Sequence, residues 1–310
     1  MNVLKEGLRA GLLTAWRLLR VMLPFSVAFD LLARTGVLAH AGMLASPLMA
    51  PFGLPGESAV ALATGMTVNL YGAIAAAASL VLVPAQVTVL GLMLGFAHTL
   101  PVESAVLRAV GTRWALLLAY RVGMLVIAGL LLGTAYRLWG APPEAAGQAL
   151  ASALPAGVPG SAFTLDSLVE AFRGAVGLTV KIILIVVPSL TAYEILRALR
   201  PVRRAGEAVA PALAPFGISR GGAVALFAGL MLGISYGGGI ILRVRETHAL
   251  ERGEVFRISL ILCTCHAIVE DTLLFAAIGA NGWIIAGARV LLAGALLGGM
   301  AAVRASGPPK

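Results

Sequence analysis

Charged residues are scarce in this chain. Aspartate, glutamate, lysine and arginine make up 12% of the 310 residues, whereas a soluble domain carries roughly 25%. The chain has too few charged side chains to cover a water-exposed surface, and its mean hydropathy is +0.95. Continuous apolar runs at residues 116–132 and 290–303 do not alternate as a barrel strand does. The sequence therefore predicts an all-α integral membrane protein.

Lysine and cysteine are also scarce, and recognisable enzyme motifs are absent. The net charge of +9 comes from 20 arginines and 3 lysines, which in membrane proteins gather at cytoplasmic helix ends. Aromatic and basic residues are not interleaved, so we expect no nucleic-acid partner.

Cys263 and Cys265 are too close in sequence for an extracellular disulfide framework. Zinc-protease helices, nucleophile elbows and phosphate-binding glycine loops are absent, and we therefore expect no enzymatic activity.

The sequence repeats itself. Ala50-Pro51-Phe52-Gly53 returns 164 residues later as Ala214-Pro215-Phe216-Gly217. Further on, the offset is 168, which pairs His98 with His266 and Glu103 with Asp271. Matches that include rare charged residues indicate a duplication. We predict a first repeat at residues 1–139, a linker at 140–164 and a second repeat at 165–310.

The distribution of basic residues predicts the topology. The linker contains no lysine or arginine, whereas both termini and the segment 197–204 are basic. Basic segments stay on the cytoplasmic side, so both termini are predicted to be cytoplasmic and the linker non-cytoplasmic. Each half then crosses the membrane an odd number of times, as in the inverted-topology repeats of many secondary transporters. We expect a multi-pass protein of the bacterial inner membrane, embedded in the lipid bilayer, and we consider a homodimer as its assembly.

Each half is predicted to contain the same series of helices. A long helix with an internal proline and a short piece come first. The following pieces are a spanning helix (58–81 or 222–244), a broken pair (84–97 with 101–110, or 255–265 with 268–278) and a last spanning helix (114–138 or 283–303). The broken pieces are too short for a core of about 30 Å at about 1.5 Å per residue. They are predicted to be interrupted or re-entrant helices near the membrane midplane.

Side chains able to bind metal concentrate at the two breaks. Ionisable residues inside a membrane are costly and usually face a cavity or one another. Imidazole, thiolate and carboxylate groups form a suitable ligand set for Fe²⁺, Zn²⁺ or Mn²⁺. The candidate ligands are His98, Glu103, Cys265, His266, Glu270 and Asp271. Two alternatives remain open, namely buried pairs that only stabilise the breaks and a proton relay.

A second polar patch lies on the predicted spanning helices. Unwound backbone beside polar side chains would line a substrate site, whereas small residues also permit close helix packing. The candidate substrate-binding residues are Asn69, Tyr71, Ser235, Tyr236 and Gly238.

Four further charged residues have two interpretations each. Asp30 and Glu194 lie on the first helix of each half and are interpreted as interfacial residues or as proton sites. Arg121 and Arg289 occupy matched positions near the start of each last helix. They either pair with the acidic residues of the breaks or mark a membrane interface.

Several motifs resemble one bacterial family. They are Gly53-Leu54-Pro55-Gly56-Glu57, Asn69-Leu70-Tyr71-Gly72, Gly95-Phe96-Ala97-His98-Thr99-Leu100-Pro101-Val102-Glu103 and Cys265-His266-Ala267-Ile268-Val269-Glu270-Asp271-Thr272. Over residues 10–300 the chain resembles the Gate-domain, or "nucleoside recognition", membrane proteins. Related repeats occur in ferrous-iron transport GTPases, concentrative nucleoside transporters and spore-maturation membrane proteins. The resemblance implies a transporter-like fold, and the absence of a phosphate-binding loop implies passive, ion-coupled or partner-driven transport.

The sequence is therefore compatible with three candidate functions. The first is transport of a divalent transition-metal ion bound by the symmetric His/carboxylate cluster. The second is transport of a nucleoside or another small organic solute through the second polar patch. The third is a non-transporting membrane assembly protein in which the His/acid pairs are purely structural.

Overall fold

The computed structural model describes residues 2–140, 165–198, 209–234 and 250–305. Within these ranges the chain forms helices and no β-strand. The first part contains α1 (Asn2–Arg34), α2 (Val37–Met49), α3 (Ser58–Thr67), α4 (Leu70–Ala78), α5 (Pro84–Ala97), α6 (Leu100–Ala109) and α7 (Trp114–Trp139). The second part contains α8 (Leu165–Ala198), α9 (Ala210–Leu213), α10 (Arg220–Leu232), α11 (Arg252–Cys265), α12 (Ile268–Ala277) and α13 (Gly282–Ala305).

Four helical segments in the described part of the chain are long and apolar enough to span a membrane. They are Pro84–Ala109, Trp114–Trp139, Arg252–Ala277 and Gly282–Arg304, with 23 to 26 residues each. The bent pair Ala210–Phe216 and Arg220–Leu230 brings the number to five if it counts as one span. The predicted class, an all-α polytopic membrane protein, is confirmed.

The broken and the unbroken spans differ in burial. In the most apolar window of each span, 72% of Pro84–Ala109 and 67% of Arg252–Ala277 is buried, against 28% and 17% for the two unbroken spans. The unbroken helices therefore expose apolar side chains of the kind that lipid covers. The broken helices are buried within the protein, where interrupted backbone can find hydrogen-bond partners.

The helix breaks appear where the sequence predicts them. Helix α5 ends at Ala97 and α6 begins at Leu100, while α11 ends at Cys265 and α12 begins at Ile268. His98 and His266 are extended, with ψ of 159° and 157°. The next residues, Thr99 and Ala267, have φ of 50° and 46°. The same backbone conformation thus occurs at two positions 168 residues apart.

One predicted element differs from the structure. The sequence predicts a single spanning helix over 58–81, but the chain forms two short helices, α3 and α4, separated by Val68 and Asn69. Asn69 is extended, with φ of −169°, and its side-chain oxygen accepts a hydrogen bond from the Gly72 amide at 2.8 Å. This is an N-cap, which starts a new helix instead of continuing the old one. In the second half, α10 ends before Gly233, which has φ of 85°.

The described chain divides into two compact units. The first unit comprises Met1–Thr99, Met124–Ile195 and Glu270–Ile285. The second unit comprises Leu100–Gly123, Leu196–Val269 and Ala286–Lys310. Each unit takes segments from both predicted repeats. The division into repeats at residues 1–139 and 165–310 stays a prediction from the sequence.

Each unit has its own packing. In the first unit, α1 and α3 both pack against α4. In the second unit, α10 packs against α11 around a core that includes Leu226, Ile258 and Leu262. A Cβ atom on Gly229 would overlap Leu262, so glycine at this position permits close contact of the two helices.

Candidate functional site

The first unit carries the break after α5. Thr99 has a left-handed backbone, which is unusual for a β-branched residue. Its amide donates a hydrogen bond of 2.8 Å to the carbonyl oxygen of Gly65 in α3. Such strained residues persist where the surrounding structure fixes them, and they cluster at functional sites. The contact with α3 fixes the end of α5 in this unit.

His98 and Asp271 lie close together in the first unit. Both are buried, with 6% and 3% of their surface exposed. Nδ1 of His98 lies 2.8 Å from the carbonyl oxygen of Leu94 and 4.0 Å from Oδ2 of Asp271. The second distance exceeds a hydrogen bond but places the ring beside the carboxylate. The histidine of one break thus meets an acid of the other.

Glu270 also belongs to the first unit. The hydroxyl group of Tyr71 donates a hydrogen bond of 2.5 Å to its Oε1. Tyr71 is in the first turn of α4, directly after the Asn69 cap. This contact joins a residue of the predicted substrate patch to a residue of the predicted metal set, although the two are 199 positions apart.

The second unit contains a three-residue ionic cluster. Nη1 of Arg121 lies 2.5 Å from Oε2 of Glu103, and Nε2 of His266 lies 3.2 Å from Oε1 of the same carboxylate. All three are buried, with exposed fractions of 1%, 4% and 0%. The predicted pairing of Arg121 with Glu103 is therefore present. The two carboxylate oxygens face different partners, a permanent cation and an imidazole.

Arg289 supports the second break. It is fully buried, and it donates from Nε to the carbonyl oxygen of Thr264 at 3.0 Å and from Nη2 to that of His266 at 2.7 Å. A helix that ends inside a protein leaves carbonyl groups without helical partners. Arg289 supplies those partners, a role that the sequence analysis did not assign to it.

Tyr120 is a second residue that sequence analysis missed. Its hydroxyl shares a hydrogen bond of 2.7 Å with Oγ1 of Thr264. The predicted ligand Cys265 and its neighbour Cys263 are buried in the same unit. The position of Tyr120 next to Arg121, near the start of the last helix of the half, was the available signal.

The remaining predicted residues are placed as follows. The side-chain oxygen of Asn69 is used as a helix cap. Ser235, Tyr236 and Gly238 lie outside the described residues, as does the side chain of Glu194. Asp30 pairs with Arg34, four residues further along α1, at 2.8 Å.

The chain was compared with known proteins. A family model described as "Gate: Nucleoside recognition" matches residues 15–113. The "Uncharacterized membrane protein YvoD" of Bacillus subtilis (strain 168) is 32% identical over 292 residues, which cover 94% of this chain and 92% of that protein. No solved structure matches the chain. Similarity over almost the full length, together with the two helix breaks and the family match, shows that this chain belongs to the Gate family of multi-pass membrane proteins.

Proposed function

We propose that the protein is a membrane transporter whose substrate is a divalent transition-metal ion such as Fe²⁺, Zn²⁺ or Mn²⁺. The histidines and acids of the helix breaks are the proposed ligands. The main support is the contact of His266 with Glu103 in the second unit. Arg289 and Thr99 are proposed to maintain the backbone of the breaks.

The orientation of both imidazole rings suits metal binding. Nδ1 of His98 lies 2.8 Å from the Leu94 carbonyl oxygen, and Nδ1 of His266 lies 2.7 Å from that of Leu262. A carbonyl oxygen only accepts hydrogen bonds, so each Nδ1 carries a proton and a neutral ring keeps its lone pair on Nε2. Histidines that bind metals usually donate their other N–H group in this way.

The contact between His266 and Glu103 needs a cation. Nε2 and Oε1 lie 3.2 Å apart in a buried site. Neither a lone pair nor a carboxylate oxygen donates a hydrogen bond, so a proton or a metal ion must lie between them. A metal ion at roughly 2.0–2.2 Å from each atom fits this separation. Because Arg121 holds the other oxygen, Oε2, an ion can bind without displacing it.

The test combines metal analysis with transport. Protein purified without chelators is expected to contain bound metal, and proteoliposomes are expected to take up the same ion. His98→Ala and His266→Ala should lose both properties. His40→Ala is the matched control, because His40 makes the same Nδ1 contact with a carbonyl oxygen four residues earlier, at 2.9 Å, but is exposed. Uptake that is unchanged in both break variants would refute the proposal.

Transport of a nucleoside is the second candidate function. Its support is the contact of Tyr71 with Glu270, since a phenol and a carboxylate are common partners for the hydroxyl groups and bases of such solutes, and the matching family model is described by nucleoside recognition. A nucleoside should raise the melting temperature of the wild type, and Tyr71→Phe should remove this shift. Asn69→Ala is a poor test, because it also removes a helix cap.

We further propose that the protein resides in the bacterial inner membrane with both termini in the cytoplasm. The basic N-terminal and C-terminal segments and the linker without lysine or arginine support this orientation. Reporter fusions at the C terminus and within the linker should report opposite sides. If both fusions report the same side, the proposed orientation is wrong.

A further inference from the structure

The first unit contains a small cavity. It lies between α1, the end of α4 and α8, and its polar lining consists of Ser26, Asp30, Ser79 and Glu170. The remaining lining is formed by small apolar residues and Leu178. The space holds roughly one water-sized occupant. The polar side chains of this lining carry oxygen as their only polar atom.

The charged side chains of the lining, together with Arg34, sum to minus one, with Asp30 part-buried and the Glu170 side chain 59% exposed. Asp30 and Glu170 each carry a carboxylate, and the buried Arg34 contacts both, with Nε 2.8 Å from Oδ2 of Asp30 and Nη2 3.4 Å from Oε2 of Glu170. One guanidinium neutralises one carboxylate. A single negative charge is left over for an occupant of the cavity.

Ser26 gives an independent indication of a ligand. Its side chain is 6% exposed, it lines the cavity, and its Oγ has no hydrogen-bond partner among the described residues. A buried hydroxyl group without a partner is unfavourable, because it has lost its hydrogen bonds to water. By contrast, Ser79 and Thr179 in the same region bond to carbonyl oxygens of their own helices at 2.7 Å. Ser26 therefore provides a buried hydroxyl group that is available to an occupant of the cavity.

We infer that this cavity binds one small monovalent cation, Na⁺. An all-oxygen lining selects hard cations over transition metals. Mg²⁺ requires near-ideal octahedral geometry and usually keeps several waters, and Ca²⁺ takes 6–8 oxygen ligands, so both need more room and more ligands than this cavity offers. A single surplus negative charge matches a single positive charge. Asp30, Glu170, Ser26 and Ser79 supply the ligand oxygens.

The binding site does not depend on the proposed metal transport. If the protein is a transporter, the bound Na⁺ is its coupling ion, and only this last step rests on the proposed function. The Na⁺ site and the proposed metal transport can be refuted independently, because Na⁺ binding is measured on purified protein in detergent without any substrate.

The experiment compares melting temperatures in NaCl and in N-methyl-D-glucamine chloride at equal ionic strength. The wild type should show a saturable rise in melting temperature that is specific for Na⁺. Asp30→Asn should abolish the rise, and Ser26→Ala, which removes one oxygen and keeps every charge, should weaken the apparent affinity at least fivefold. Asp166→Asn is the matched control, because it alters an exposed carboxylate one turn earlier on α8 and should bind Na⁺ like the wild type.

Three outcomes would overturn the inference. Equal rises with both salts would mean that ionic strength alone acts. The absence of any Na⁺-specific rise would mean that water alone fills the cavity. A rise that persists unchanged in Ser26→Ala and Asp30→Asn would place the Na⁺ site elsewhere, and if Asp30→Asn fails to fold, Ser26→Ala alone decides.

Discussion

The buried ion pair between Arg121 and Glu103 yields a quantitative prediction. The two side chains are 1% and 4% exposed, and their charged atoms lie 2.5 Å apart. Removing one partner of a buried pair leaves an uncompensated charge, which costs about 3–5 kcal/mol. Arg121→Met should therefore lower the free energy of unfolding by that amount. Glu103→Gln should lower the free energy of unfolding by at least as much, because His266 loses its acidic partner as well.

A double-mutant cycle tests the reasoning. The variant with both Arg121→Met and Glu103→Gln should lose clearly less free energy of unfolding than the sum of the two single losses, because neither the guanidinium group nor the carboxylate is then left without the other. Unfolding in mixed detergent micelles, followed by tryptophan fluorescence, measures all four proteins. Arg108→Met, at an exposed arginine of α6, is the control and should change stability by less than about 0.5 kcal/mol. Additive losses, or single losses as small as that of the control, would refute the argument.

Three substitutions and one control variant test the local backbone. Ala267→Gly should raise the free energy of unfolding by about 1 kcal/mol, since a left-handed φ of 46° strains alanine but not glycine; a lower melting temperature would contradict this. Gly56→Ala should lower the free energy of unfolding by up to about 3 kcal/mol, because a Cβ would overlap the carbonyl oxygen of Gly42. Gly123→Ala is the control, because a Cβ there meets nothing within 4 Å. Since alanine favours a helix interior over glycine, this variant should be at least as stable as the wild type in the same thermal assay. Asn69→Ala should cost about 1 kcal/mol through the lost cap, and denaturant titration that finds no loss would disprove the capping role.

The sequence predicts the helix breaks well because their cause is local. The predicted bounds of α5, residues 84–97, equal the observed ones. Pro84 occupies the first turn, where a missing backbone donor is harmless, and Pro101 lies just after the break, within the first turn of α6. The final helices α7 and α13 also begin and end within two residues of their predicted bounds. Their long apolar runs are compatible only with one continuous spanning helix.

Partners distant in sequence were harder to predict. The repeat suggested that His98, Glu103, His266 and Asp271 belong together, but not that each histidine meets the acid of the other half. The capping role of Asn69 was also missed, because a polar residue in an apolar run resembles a substrate ligand as much as a cap. The contact of Tyr71 with Glu270 depends on tertiary packing alone.

The exchanged His/acid pairs have a consequence for biosynthesis. Asp271 follows His98 by 173 residues, and His266 follows Glu103 by 163. At about 5–20 residues per second, the ribosome needs roughly 8–35 s to deliver each second partner. During this time His98 lacks Asp271 and Glu103 lacks His266, although Arg121, which pairs with Glu103, has already been made. The two pairs between the halves can thus form only once the last quarter of the chain is being translated.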